Sequence, residues 1–122
     1  MATQTRLQLR EKAVSLLSRK WTLRIVRALD SSVKRHSELA RTIPGVTQKV
    51  LTETLREMEC CGIVERSIYP TVPPRVEYKL TNTGIGLLKI TSEFSTWFDT
   101  HRKDMRKAQR FYDQQRNETS LT

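Results

Sequence analysis

Three of the four prolines in this 122-residue chain fall within five residues, Pro70-Thr71-Val72-Pro73-Pro74, and a stretch of alternating apolar and polar residues stands on either side of them. Proline has no N–H to donate, so such a segment cannot run inside a β ladder. The flanks, residues 63–69 and 75–80, therefore read as the two strands of a hairpin whose tip is stiff and extended. That places strand structure late in the chain. The segments before and after it must find their structure elsewhere.

They carry helical periodicity. Over residues 7–17, Leu7, Leu9, Ala13, Val14, Leu16 and Leu17 recur at mixed helical spacings, which predicts a first helix. Trp21, Ile25, Ala28 and Leu29 follow i, i+4, i+7, i+8 with Arg24 and Arg27 turned outward, a second helix ended by Asp30-Ser31-Ser32. After 33–36, Ser37 is placed to cap a brief helix through Ile43, stopped by Pro44-Gly45. Thr47 opens a strongly two-faced segment, with Val50, Leu51, Leu55 and Met58 on one side and Gln48, Lys49, Thr52, Glu53 and Arg56 on the other. Gly62 closes it in the position of a C-terminal glycine. Thr81 caps the last segment, where Leu87, Thr91, Phe94, Phe98, His101, Met105, Ala108 and Tyr112 step by four and three along one seam.

The class is mainly α with a small β-hairpin, and the order of helix, short helix, Pro-Gly turn, second helix and hairpin is that of a winged helix-turn-helix. The length suits one domain, residues 1–122. Twenty-two Lys and Arg against thirteen Asp and Glu give a net charge of +9, a field that attracts polyanions, so double-stranded DNA is the first partner implied. The polar face of the helix from Thr47 matches a major groove about 12 Å wide, where Gln48, Lys49, Thr52 and Arg56 reach bases or phosphates. Glu53 accepts from a cytosine amino group or holds a neighbouring cation. Arg75, beside the proline tip, supplies a cation for a minor groove. The expected DNA-binding set is Ser37, Thr47, Gln48, Lys49, Thr52, Glu53, Arg56 and Arg75.

Other chemistries lack parts. There is no nucleophile with a base, no Gly-rich phosphate loop and no HExxH or CxxC pattern, so neither an enzyme nor a cofactor is expected. No apolar run approaches the roughly 20 residues of a membrane span, and no export segment is evident, which suggests the cytoplasm. Cys60 and Cys61 are adjacent, with His36 and His101 remote in sequence, so no metal is expected and inert thiols in or near the core are the simplest reading.

The stretches KWTLRIVRAL, SELARTIPGVTQKVLTETLREMECCGIVER and YPTVPPRVEYKLTNTG resemble the HxlR-type branch of winged-helix transcription regulators, related to MarR-like proteins, over about residues 9–98. The resemblance implies a homodimeric, sequence-specific regulator acting on a pseudo-palindromic operator. It also implies that the terminal helices make the dimer. Residues 1–18 and 82–113 are then the dimerisation elements, with Leu7, Leu87, Thr91, Phe94, Phe98, His101, Met105 and Tyr112 at the interface. Many similar proteins carry a redox-sensing cysteine thirteen residues before the tryptophan matching Trp21; here that position is Gln8, so a thiol switch is absent from that site. A second departure is the helix continuing past Trp97.

Two other functions fit the same residues: a winged-helix module that docks an acidic protein, and a non-specific nucleic-acid-binding protein, for which the exposed aromatics look too few. Trp21, Trp97, Phe94, Phe98 and Tyr112 could line an effector pocket, although core and interface packing explains them with fewer assumptions.

Overall fold

The computed structural model describes residues 4–120. Residues 1–3 of the expected first dimerisation element, and residues 121–122 of the tail, lie outside them. The chain divides into two compact units, Met1–Thr91 and Ser92–Thr122.

In the first unit, α1 (Arg6–Leu17) opens on Thr5. The Thr5 hydroxyl accepts from the Gln8 N–H at 3.2 Å, and Gln8 Oε1 accepts from the Thr5 N–H at 2.9 Å, so two of the donors orphaned at the helix start are satisfied reciprocally. Leu16 is the buried residue of α1, while Leu7, Leu9 and Val14 are exposed. α2 (Thr22–Ala28) buries Thr22, Ile25 and Val26 and leaves Arg24 and Arg27 in solvent. The half-buried Trp21 ring precedes it, with the cations of Lys20 and Arg24 at 4.9 and 5.1 Å from the ring centroid.

Residues 34–35 correct the expectation of a two-stranded hairpin. Lys34–Arg35 form a short strand, β1, opposite Tyr78 and Glu77. With β2 (Val64–Tyr69) and β3 (Arg75–Leu80) the antiparallel sheet has the order β1-β3-β2, and Val64 to Tyr69 run in register against Leu80 to Arg75. α3 (His36–Thr42) follows β1 directly, so Ser37 lies inside the helix and is not its cap. The entry is held by Glu38, whose Oε1 accepts from the Arg35 N–H at 3.2 Å.

α4 (Gln48–Cys60) begins as expected on Thr47, whose hydroxyl accepts from the Val50 N–H at 3.2 Å. It ends in a Schellman turn. Gly62, at φ +73°, donates to Glu59 O at 3.0 Å and Ile63 donates to Met58 O at 2.8 Å, the paired bonds that satisfy the last carbonyls of a helix. The turn delivers the chain into β2 with Ile63 and Val64 buried.

The core gathers Leu16, Ile25, Val26, Leu29, Leu39, Ile43, Leu51, Leu55, Met58, Ile63, Val64, Tyr78 and Leu87. Three threonines are buried among them. Each donates its hydroxyl to a backbone carbonyl, Thr22 to Leu16 at 2.7 Å, Thr54 to Val50 at 2.7 Å and Thr91 to Leu87 at 3.1 Å, which offsets the cost of desolvating it. α5 (Asn82–Ser120) enters this unit through its first residues. Thr81 anchors that entry, accepting from the Gly84 N–H at 3.2 Å and donating its hydroxyl to the Gly62 carbonyl.

The second unit is the remainder of α5. Phe94, Trp97, Phe98, Met105, Phe111 and Tyr112 are all exposed on it. The Trp97 ring stacks with His101 at 5.3 Å and meets Phe94 at 5.9 Å, and His101 Nδ1 donates to the Trp97 carbonyl at 2.8 Å.

A Cβ on Gly84 would lie 2.2 Å from the Ile63 carbonyl oxygen, whereas one on Gly86 would meet nothing within 4 Å. Gly84→Ala therefore forces the start of α5 away from the β2 entry and lowers stability by about 1–3 kcal/mol, the usual range for overpacking. Gly86→Ala raises it by up to about 1 kcal/mol through helix propensity. Urea denaturation of the two variants checks this; equal effects would contradict the close approach.

Candidate nucleic-acid interface

α4 is two-faced because four of its side chains are consumed by the core. Leu51, Thr54, Leu55 and Met58 are at most 1% exposed, and at about 100° per residue the opposite side must then face solvent. Gln48, Lys49, Thr52, Glu53 and Arg56 line one shallow surface of about 490 Å³ there. All but Thr52 are exposed.

Thr52 is half-buried and held in place. Its hydroxyl donates to Gln48 O at 2.9 Å and lies 3.0 Å from His36 Nε2. A hydroxyl has one proton, so with that proton on Gln48 the imidazole is the donor, with its hydrogen on Nε2. His36 thus ties the first residue of α3 to the outward face of α4. Sequence reasoning missed this role: the two residues are sixteen apart, and only the angle between the helices brings them together.

Ser37 and Arg75 do not join the α4 surface. They meet in a separate cleft of about 610 Å³, lined also by Arg35, His36 and the proline-rich tip. Thr47 is exposed, its hydroxyl occupied as the α4 cap. Arg75 is engaged within the wing. It is the first residue of β3, opposite Tyr69, with its guanidinium carbon 4.4 Å over the Tyr69 ring and Nε 3.2 Å from Glu77 Oε1. The tip proper carries no charge and presents Val72, which is fully exposed.

The interface residues separate into two groups. Leu87 and Thr91 are buried within the first unit, so they are core and correct the expectation that they face a partner. Leu7, Phe94, Phe98, Met105 and Tyr112 are exposed apolar residues, and His101 is exposed beside Trp97. The thiols differ as well. Cys61 is half-buried, in line with a thiol at the edge of the core, but Cys60 is exposed and departs from that expectation. Among the described residues no group of three His, Cys, Asp or Glu is placed to hold a metal ion, and no helix is long and apolar enough to cross a membrane.

A family model of HxlR-like helix-turn-helix proteins matches residues 16–106, which contain the helix pair, the wing and the start of the exposed aromatic row. The chain belongs to the HxlR-like helix-turn-helix family. An HTH-type transcriptional regulator of Methanothermobacter thermautotrophicus is 42% identical over 87 residues, 71% of this chain and 66% of that protein. The regulator YodB of Bacillus subtilis is 40% identical over 89 residues, 73% of this chain and 80% of YodB. The crystal structure of a MarR-family transcriptional regulator from Enterococcus faecalis superposes with a TM-score of 0.69 at 36% identity, covering 88% of this chain and 97% of that one. These HxlR-like and MarR-like relatives are regulators, and they share the winged-helix architecture.

Behind α4, Tyr78 is buried in the sheet, and burial raises its phenol above the ordinary value of 10.0, with smaller contributions from Arg66, Glu59 and Arg56. The folded state therefore favours the protonated phenol. Stability from this residue is intact below the ordinary phenol value and falls as pH rises past it, because the unfolded chain ionises first. In urea titrations above about pH 10, Tyr78→Phe should lose less stability with rising pH than the parent; parallel losses would refute the burial effect.

Proposed function

We propose that this protein is a sequence-specific DNA-binding transcriptional regulator that acts as a homodimer on a pseudo-palindromic operator. The observation that carries the reading is the α4 surface, where Gln48, Lys49, Thr52, Glu53 and Arg56 stand together on the face opposite the buried one. A helix about 10–12 Å across fits a major groove about 12 Å wide. Lys49 and Arg56 serve guanine edges or phosphates, Gln48 serves adenine, and Thr52 offers its methyl group, its hydroxyl being held by Gln48 and His36. Ser37 and Arg75, in the cleft beside the wing, serve the backbone of the flanking groove, and Val72 makes apolar contact there. The charge of +9 supports the same partner.

The dimer is proposed on different grounds. Among the described residues, α1 leaves Leu7, Leu9 and Val14 exposed, and residues 92–113 carry a row of exposed aromatics. Apolar surface of that extent marks an interaction site. Residues 1–18 and 82–113 are accordingly the dimerisation elements, Leu87 and Thr91 excepted. The family's regulators give no reason to expect an enzyme, and the protein is proposed to act in the cytoplasm.

Lys49→Ala and Arg56→Ala should each weaken binding to a selected duplex. Loss of a base contact costs about 1–3 kcal/mol and relaxes preference at one base pair, while loss of a phosphate contact lowers the salt dependence by about one charge. Fluorescence anisotropy over a salt series reads both. Wild-type binding by both variants would remove α4 as the reading surface.

A further inference from the structure

Thr52 shares the polar surface of α4 with Gln48, Lys49, Glu53 and Arg56 and differs from them in being half-buried. Its hydroxyl donates to the Gln48 carbonyl at 2.9 Å and accepts from His36 Nε2 at 3.0 Å. A hydroxyl holds one proton and two lone pairs, so no proton is left to give to a base. The purine N7 and O6 positions and thymine O4 are acceptors, and Thr52 cannot serve them. With the oxygen turned to the Gln48 carbonyl and to α3, the branch at Cβ left to a partner is the methyl group.

His36 is not part of α4, and its own place is set elsewhere. It is the first residue of α3. Arg35 before it is paired with Glu77 in the sheet, and Leu39, three residues on, is fully buried. The imidazole thus holds Thr52 from outside its own helix. A threonine in a helix divides between two rotamers, because its hydroxyl can reach the carbonyl three or four residues earlier. The bond from His36 belongs to the rotamer whose oxygen lies on Gln48, four residues earlier, and it fixes the direction of the methyl.

We infer that His36 is a specificity-determining residue: by fixing the Thr52 rotamer it makes α4 select the C5-methyl group of a thymine at one base pair of each half-site. The inference rests on α4 as the DNA-reading helix. His36 touches no base in this role; it is a positioning residue acting through Thr52. Apolar contact from threonine is one of the direct ways of reading thymine in the major groove, and it separates thymine from cytosine, which carries no methyl there.

The test takes the duplex enriched from a randomised library and replaces its thymines by deoxyuridine, one position at a time in both half-sites. Deoxyuridine lacks only the methyl group. Fluorescence anisotropy gives the affinity ratio of each duplex pair, which a uniform loss of affinity leaves unchanged. One position should show a loss of about fourfold per half-site, the worth of one buried methyl group. The loss should disappear in Thr52→Ser, which keeps the hydroxyl and removes the methyl. In His36→Phe, which keeps a ring and removes the donor, it should fall to about half that size or less; His36→Gln supplies an N–H again and should restore it. A selected duplex with no methyl-sensitive thymine would overturn the inference and leave α4 as the reading helix. So would a loss that is unchanged in Thr52→Ser or His36→Phe, or not restored by His36→Gln. Failure to enrich any duplex would remove both.

Discussion

The rotation of α4 about its own axis is the constraint on which the site depends. Leu51, Leu55 and Met58 sit in one cluster with Ile25, Leu29, Leu39 and Ile43, and Thr54 is buried on the same helix; turning the helix by one residue would carry this set about 100° toward water. Fully burying each large apolar side chain contributes roughly 1.5–3 kcal/mol, so the rotation is not negotiable by surface groups. The polar face points outward as a consequence. Its composition is then free to serve a partner because it contributes little to the core.

The ends of α4 are fixed as firmly as its rotation. Thr47 sets where the helix begins and the Gly62 turn sets where it stops. From that turn the chain passes into β2, so the wing stands at a defined distance from the helix. Thr81 closes the arrangement by binding the Gly62 carbonyl, and Gly84 lets α5 approach Ile63 closely. Helix, turn, wing and α5 are thereby registered on a few backbone contacts around residues 62–63.

Much of this was legible in the sequence where a period or a breaker carried it. The apolar stripe of α4, its threonine cap, the closing glycine and the proline tip each act over a few residues, and local physics suffices to read them. What was not legible depends on distant partners. β1 has two residues, too few to show alternation, and exists because β3 offers an edge to Lys34 and Arg35. Thr54 reads as polar, yet is buried because Val50 accepts its hydroxyl. Leu87 and Thr91 share the spacing of Phe94 and Phe98, and periodicity alone does not reveal that the first pair meets the core of its own chain. Arg75 reads as a free cation until Tyr69 and Glu77 are placed beside it, and His36 gains its role only through the crossing of α3 and α4.

The central claim, that two copies of the α4 face read DNA by sequence, is tested most directly by selecting bound duplexes from a randomised library at physiological salt and sequencing what the protein retains. The account predicts an inverted repeat whose half-site centres lie about one helical turn, roughly 34 Å, or a multiple apart. Retention without any enriched motif would contradict it and would point to sequence-blind binding or to an acidic protein as the partner of the basic face.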